Sequence, residues 1–266
     1  MNEPASWQDA LNASRFAVAA ARARVIGEHA SLLAALDDLA LVEKGVRAKQ
    51  YGAARRALAR YQENLGGVKD GGLLRAAVRA PDLMAGITAL EGADGPRTGE
   101  PDRLSAQLAP AFAHPTTAAE AHNVLGVQFA ILENTAAARA EFDRALDRDP
   151  QHDRALTNIG NLFLEAGEVG EAEAYYRRAL ALNADAPNAH HNLAVALRQQ
   201  KKVRASVQAL KRSQRLLVRQ ANESGRAEAR ERLGKVGFDS QKITRIVLTI
   251  ALVLVVLWVL RGGLGG

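Results

Sequence analysis

HNVLGVQFAILENTAAARAEFDRALDRDP, residues 122–150, and LTNIGNLFLEAGEVGEAEAYYRRALALN, residues 156–183, are one pattern written twice, thirty-four residues apart. Leu125, Gly126, Phe129, Ala138, Phe142 and Ala145 recur as Ile159, Gly160, Phe163, Ala172, Tyr176 and Ala179, and only the slot of Pro150 changes, to Ala184. A third copy keeps Leu193, Ala194, Leu197 and Leu210, with Ser206 and Ser213 in place of the small alanines, as a terminal unit with one neighbour fewer can tolerate. A fixed period of this length marks a stacked array in which each unit buries its apolar face against the next.

The residue types explain the spacing. Gly126 and Gly160 let two antiparallel helices approach closely, Phe129 and Phe163 fill the space beside them, and Ala138 and Ala172 admit the facing helix. Gly167 can supply the left-handed backbone that ends a helix, Asn134 can tolerate it, and Pro150 or Pro187 cannot continue a helix from behind. Over residues 117–220 the chain resembles the tetratricopeptide repeat family. His122, Leu156 and His190 stand where that family often has tryptophan, a departure in packing detail.

The resemblance implies a curved solenoid whose first helices line a groove for an extended peptide or a partner's helix. The groove slots hold Asn123, Val127 and Ile131, then Asn158, Asn161 and Glu165, then His191, Asn192, Val195 and Arg198. Asparagine amides donate and accept at once, so they can hold an extended backbone. Family members that clamp the carboxylates of chaperone tails add basic groove residues. Here Asn158, or Asn161 and Asn192, match the asparagines, but Asn123 or Thr157 and then Asn188 and Asn192 stand at the basic positions, which disfavours that ligand.

Outward from the repeats the pattern loosens. Residues 1–91 read as a helical region: Ser6 caps a helix carrying Trp7, Leu11, Val18 and Val25, and a helical hairpin covers about 31–65. Its second helix has the repeat pattern at Tyr51, Ala54, Leu58 and Tyr61 but its first does not, so degenerate repeats are one reading and a separate helical region the other. The Gly- and Pro-rich stretch 92–101 opens an expected linker, 92–116, that separates the two helical parts. With aromatics at 5% and Ala, Leu, Arg and Glu dominant, helix formers prevail and no strand pattern is evident, giving an all-α fold class.

Two features point to a membrane. Residues 246–260 contain twelve Leu, Ile and Val, and with 243–245 a helix would be about 27 Å long, against a hydrocarbon core of roughly 30 Å. A transmembrane helix at 243–261, acting as a tail anchor, is therefore expected. Lys235, Lys242 and Arg245 precede it, which places the N-terminal part in the cytoplasm. The acidic start MNEPASWQDALNASRF is unlike a signal peptide, and abundant Ala and Arg suggest a bacterial inner membrane. Between Arg198 and Arg245 fourteen basic residues face four acidic ones, a net of +10 in a chain of net +6. The expected anionic-surface set is Lys201, Lys202, Arg204, Lys211, Arg212 and Arg215, next to a basic juxtamembrane segment at 221–242. Lipid is the preferred partner of that stretch. Nucleic acid is the weaker alternative, since 198–236 has no aromatic for base stacking.

Catalysis finds no footing. The chain has no cysteine, its six histidines lack the spacing of a metal site, and the pairs Gly66–Gly67 and Gly71–Gly72 lack the context of a phosphate loop. No enzyme activity, metal or cofactor is expected. The function expected is a membrane-tethered adaptor that recruits a protein partner, with a structural subunit of a membrane assembly as a further alternative.

Overall fold

The repeat slots become paired helices because each small residue meets a large one across the hairpin. The structure, a computed structural model, describes residues 6–69, 71–95 and 100–235, the last twelve by backbone alone. Among the described residues there are thirteen α-helices, one 3-10 turn and no strand. The chain divides into two units, Met1–Ser213 and Gln214–Gly266.

The first unit holds α1 (Trp7–Asn12), α2 (Phe16–Val25), α3 (Ala30–Arg47), α4 (Tyr51–Asn64), the 3-10 turn Leu65–Gly67, α5 (Gly71–Val78), α6 (Ala80–Gly92) and α7 (Pro101–Phe112). The repeats follow as α8 (Pro115–Ile131) with α9 (Thr135–Arg148), α10 (Asp153–Glu165) with α11 (Val169–Leu182), and α12 (Pro187–Gln199) with the start of α13 (Val203–Lys235), where Ala209 packs against Leu193 and Leu197. The described part of the second unit is the continuation of α13.

A Cβ added at Gly126 would lie 2.6 Å from the Phe142 ring, and one at Gly160 2.6 Å from Tyr176. Only glycine admits these rings, which are themselves fully buried. Each turn between paired helices is closed alike. Glu133, Gly167 and Lys201 adopt φ of 58°, 78° and 62°. The next amide donates back to the carbonyl five residues earlier: Asn134 to Phe129, Glu168 to Phe163 and Lys202 to Leu197, at 2.8–2.9 Å. This is the helix ending that normally selects glycine, and only the middle repeat has it. Asn134, expected to take the left-handed turn, instead caps α9 by accepting from the Ala137 amide at 3.1 Å.

The α3–α4 hairpin is built on the same turn. Lys49 has φ of 56°, and the Gln50 amide donates to the Gly45 carbonyl at 2.8 Å. Aligning Lys49 with Glu133 also aligns Ala54 with Ala138 and Leu58 with Phe142. Val42 then falls on the slot of Gly126 and Gly45 on that of Phe129, so small and large have changed places. The close approach has moved with the glycine: a Cβ on Gly45 would meet the Ala54 Cβ at 2.9 Å and its backbone at 3.1 Å.

Several expectations are corrected. The helix expected from Ser6 onward is broken, because Ser14 turns left-handed with φ of 54° and leaves Val18 and Val25 exposed; the Ser6 cap itself is present, accepting from the Asp9 amide at 3.1 Å. The expected linker 92–116 contains α7, whose Leu108 and Ala111 are fully buried. Nor are the two helical parts separate. One core runs from Trp7 to Leu125 and includes Ala121 and Val124 of α8. The expected membrane localisation is also corrected: among the described residues no helix is long and apolar enough to cross a membrane. Helix α13 is the longest, and from Val203 to Arg219 it carries Arg204, Lys211, Arg212, Arg215 and Arg219, too many charges for a lipid-facing span. The stretch 243–261, on which the expectation of an anchor rested, lies outside the described residues, as does the end of the segment 221–242.

Candidate protein-binding face

Helices α8, α10 and α12 succeed one another along the array, and their groove slots carry polar side chains that find each other first. The Asn158 amide donates to Asn123 Oδ1 at 2.8 Å, and the Asn192 amide donates to Asn161 Oδ1 at 2.7 Å. Asn161 Oδ1 also accepts the Tyr176 hydroxyl at 2.9 Å, so both its lone pairs are used. Burial pushes the Tyr176 hydroxyl well above its ordinary pKa, helped by the nearby Glu165 charge, so it stays a donor. The asparagines form a ladder linking consecutive first helices. Asn123 and Asn161 give their oxygens to it, while Asn158 and Asn192 give amide hydrogens and keep their oxygens.

Exposure sorts the remaining expected groove residues. Asn123 is buried at 3%, Val127, Asn158, Asn161 and Asn192 are half-buried, and Glu165, His191, Val195 and Arg198 are exposed. Ile131 adds an exposed apolar side chain. His190, beside His191, turns away and its Nε2 sits 3.0 Å from the Ala184 carbonyl.

The expected anionic-surface residues are all exposed, but two are engaged within the protein. Lys202 Nζ lies 3.0 Å from Glu173 and Arg212 lies 2.8 Å from Asp185. Of the expected set, Lys201, Arg204, Lys211 and Arg215 remain.

A buried polar network joining α8 to the start of α10 is invisible to motif searching. Glu120 is 1% exposed, and its Oε2 accepts from His152 Nε2 at 3.0 Å and from Arg154. His152 caps α10: its Nδ1 accepts the Ala155 amide at 3.1 Å, which fixes the other nitrogen as the donor to Glu120. Burial by itself would raise the Glu120 carboxyl, but Arg154 and the His152 bond outweigh it and hold its pKa below the ordinary value. His114 caps α8 in the same way, accepting the Thr116 amide at 3.2 Å and donating through Nε2 to the Val78 carbonyl at 2.8 Å. Its complete burial lowers its pKa, against the opposing effect of the Val78 bond. The one sequence signal for these caps was position, since His114 and His152 each stand just before a helix start. Among the described residues, no three metal-ligating side chains converge.

This arrangement is that of an all-α helical repeat protein. A family model described as tetratricopeptide repeat matches residues 132–187 and again 157–221, so the repeat character is supported over that stretch. No curated protein matches the chain. Similar solved structures include "Crystal structure of MamA", 17% identical with a TM-score of 0.42, covering 68% of this chain and 97% of that one. "MamA MSR-1 C2" is 17% identical with a TM-score of 0.38, covering 67% and 94%. "Crystal structure of MamA protein" is 16% identical with a TM-score of 0.40, covering 71% and 94%. At these identities and scores no function of those proteins carries over.

Proposed function

We propose that this chain is a protein-binding repeat scaffold that holds an extended or helical segment of a partner along α8, α10 and α12. The observation that carries this reading is the asparagine ladder. Its internal bonds fix each amide in one orientation, so on the half-buried rungs the oxygens of Asn158 and Asn192 and the amide hydrogens of Asn161 are set in advance. A peptide backbone needs such alternating acceptors and donors, and ordering them beforehand lowers the entropic cost of binding. Val127, Ile131 and Val195 supply apolar contact between the polar rungs. The role is recruitment, without chemistry on the partner.

A photo-crosslinking residue at Asn161 or His191, compared with one at Arg177 on the second helix of the repeat, tests this in cells. Partner capture from the first-helix positions alone, lost when Asn158 and Asn192 are both changed to Ala, is the expected result. Equal capture from Arg177, or none from either face, would remove this surface as the binding site.

A further inference from the structure

Among the described residues the array ends at α13 with one face uncovered. In each inner repeat the second helix is covered by the first helix of the next: Phe142 clusters with Ile159 and Leu162 of α10, and Tyr176 with Leu193 and Leu197 of α12. Phe142 and Tyr176 are 1% and 0% exposed, whereas Leu210, in the same slot of α13, is 37% exposed. The slot three residues earlier repeats the contrast. Arg139 sets its guanidinium over the Phe163 ring of α10, and Glu173 accepts from Gln200 and Lys202 beyond α12. The third copy has Val207 there, exposed at 45%.

Exposed Val203 extends this face by a turn, and its spacing from Val207 and Leu210 puts all three on one stripe of the helix. Terminal units of such arrays ordinarily turn a polar face outward. This one is apolar at two slots whose inner counterparts touch the next repeat, with the i, i+4, i+7 spacing by which one amphipathic helix lies along another. Charge selects the partner. Arg204 and Lys211 each follow a stripe residue and line one edge of it, exposed, and from Lys201 to Ser213 there are five basic residues and no acidic one. A second copy of α13 would bring the same charge. At the other end of the array the exposed Val18 and Val25 lie on α2, which holds Arg22 and Arg24 and no acidic residue. Neither complements the stripe, whereas an apolar helix edged with carboxylates does.

We propose that Val203, Val207 and Leu210 form a docking stripe for an acidic amphipathic helix of a partner protein, which takes the place of the first helix of a further repeat. The surface is separate from the asparagine ladder. The probe is a synthetic helix with Ile, Leu and Phe at the spacing of Ile159, Leu162 and Phe163 and glutamate at its remaining positions, beside a twin with lysine instead. Fluorescence anisotropy with the full chain should show binding of the glutamate helix and not of its twin. Val207→Ser with Leu210→Ser should weaken it about tenfold, and Arg204→Gln with Lys211→Gln, at exposed positions that leave the fold intact, about threefold at low salt. Asn158→Ala with Asn192→Ala should leave it unchanged. No binding of the glutamate helix, equal binding of the lysine twin, or loss of binding with the asparagines would overturn the proposal. So would self-association of the wild-type chain in sedimentation that the Val207 and Leu210 changes abolish, which assigns the stripe to a second copy, or binding to phosphatidylglycerol vesicles that the glutamate helix fails to displace, which assigns it to a lipid surface.

Discussion

The α3–α4 hairpin and the repeat hairpin α8–α9 end their first helices with the same left-handed residue and the same back-bonded amide, yet pack in opposite order. In α8–α9 the glycine comes first and the bulky residue three positions later; in α3–α4 Val42 precedes Gly45. The cores differ accordingly. The N-terminal helices share one core that reaches into α8, while later repeats are held by small clusters, Ala138, Phe142, Ile159 and Leu162 in one and Ala172, Tyr176, Leu193 and Leu197 in another. Turn chemistry thus makes a hairpin, and the order of small and large decides what that hairpin joins.

The strongest way to break this comparison is to impose the repeat order on α3–α4. Val42→Gly with Gly45→Phe should cost about 5 kcal/mol, from lost burial at one position and overpacking against the Ala54 backbone at the other. Urea unfolding measures it, and an unchanged midpoint would mean that α3–α4 packs as an ordinary repeat after all. At the shared large slot, Phe142→Ala should cost about 4 kcal/mol and Leu58→Ala about 3 kcal/mol. Hydrogen exchange separates them further: the first should loosen α8 to α10 alone, and the second should be felt from α1 to α8.

The shared turn is sharpened by smaller changes. A side chain in left-handed backbone costs about 1 kcal/mol, so Glu133→Gly, Lys201→Gly and Lys49→Gly should each raise stability by about 0.5–1 kcal/mol, while Gly167→Ala should lower it by about 1 kcal/mol. If Lys49→Gly destabilises by more than the loss of its 2.8 Å ion pair with Asp94 explains, the turns are not equivalent. The smallest effect concerns the cap at the join between the two regions. His114 is neutral in the fold with its pKa lowered by burial, so below about pH 6.5 the unfolded chain takes up a proton that the folded one refuses. Stability is therefore full above that pH and declines as the pH falls toward the lowered folded value. Urea midpoints across this range should fall for the wild-type chain and less for His114→Gln.

The repeats were legible because their small and large slots recur at a fixed period, a signal in residue type alone. The α3–α4 hairpin was half legible: its second helix keeps the pattern, and the exchange of Val42 and Gly45 hides the first. The turn at Glu133 was misplaced by one residue, since the neighbouring Asn134 is the better left-handed residue by type but is taken by the cap. Helix α7 was missed because flanking glycines and prolines outweighed the short apolar face of Leu104, Leu108 and Ala111. At the candidate face the asparagines were found, but not that they bond one another, which needs the distance between helices far apart in sequence. Glu120, His152 and Arg154 were missed for the same reason.

The separate clusters of the repeat array have a consequence for its motion. Where one continuous core must open all at once, a row of small clusters opens in steps, each held only by its neighbours. Amide protons in α12 should then exchange sooner than those in α10, and those in α10 sooner than those in α3 or α4. A segment gripped across all three first helices would slow exchange most at α12, adding a tie between clusters that otherwise meet through single side chains such as Phe129 and Phe163.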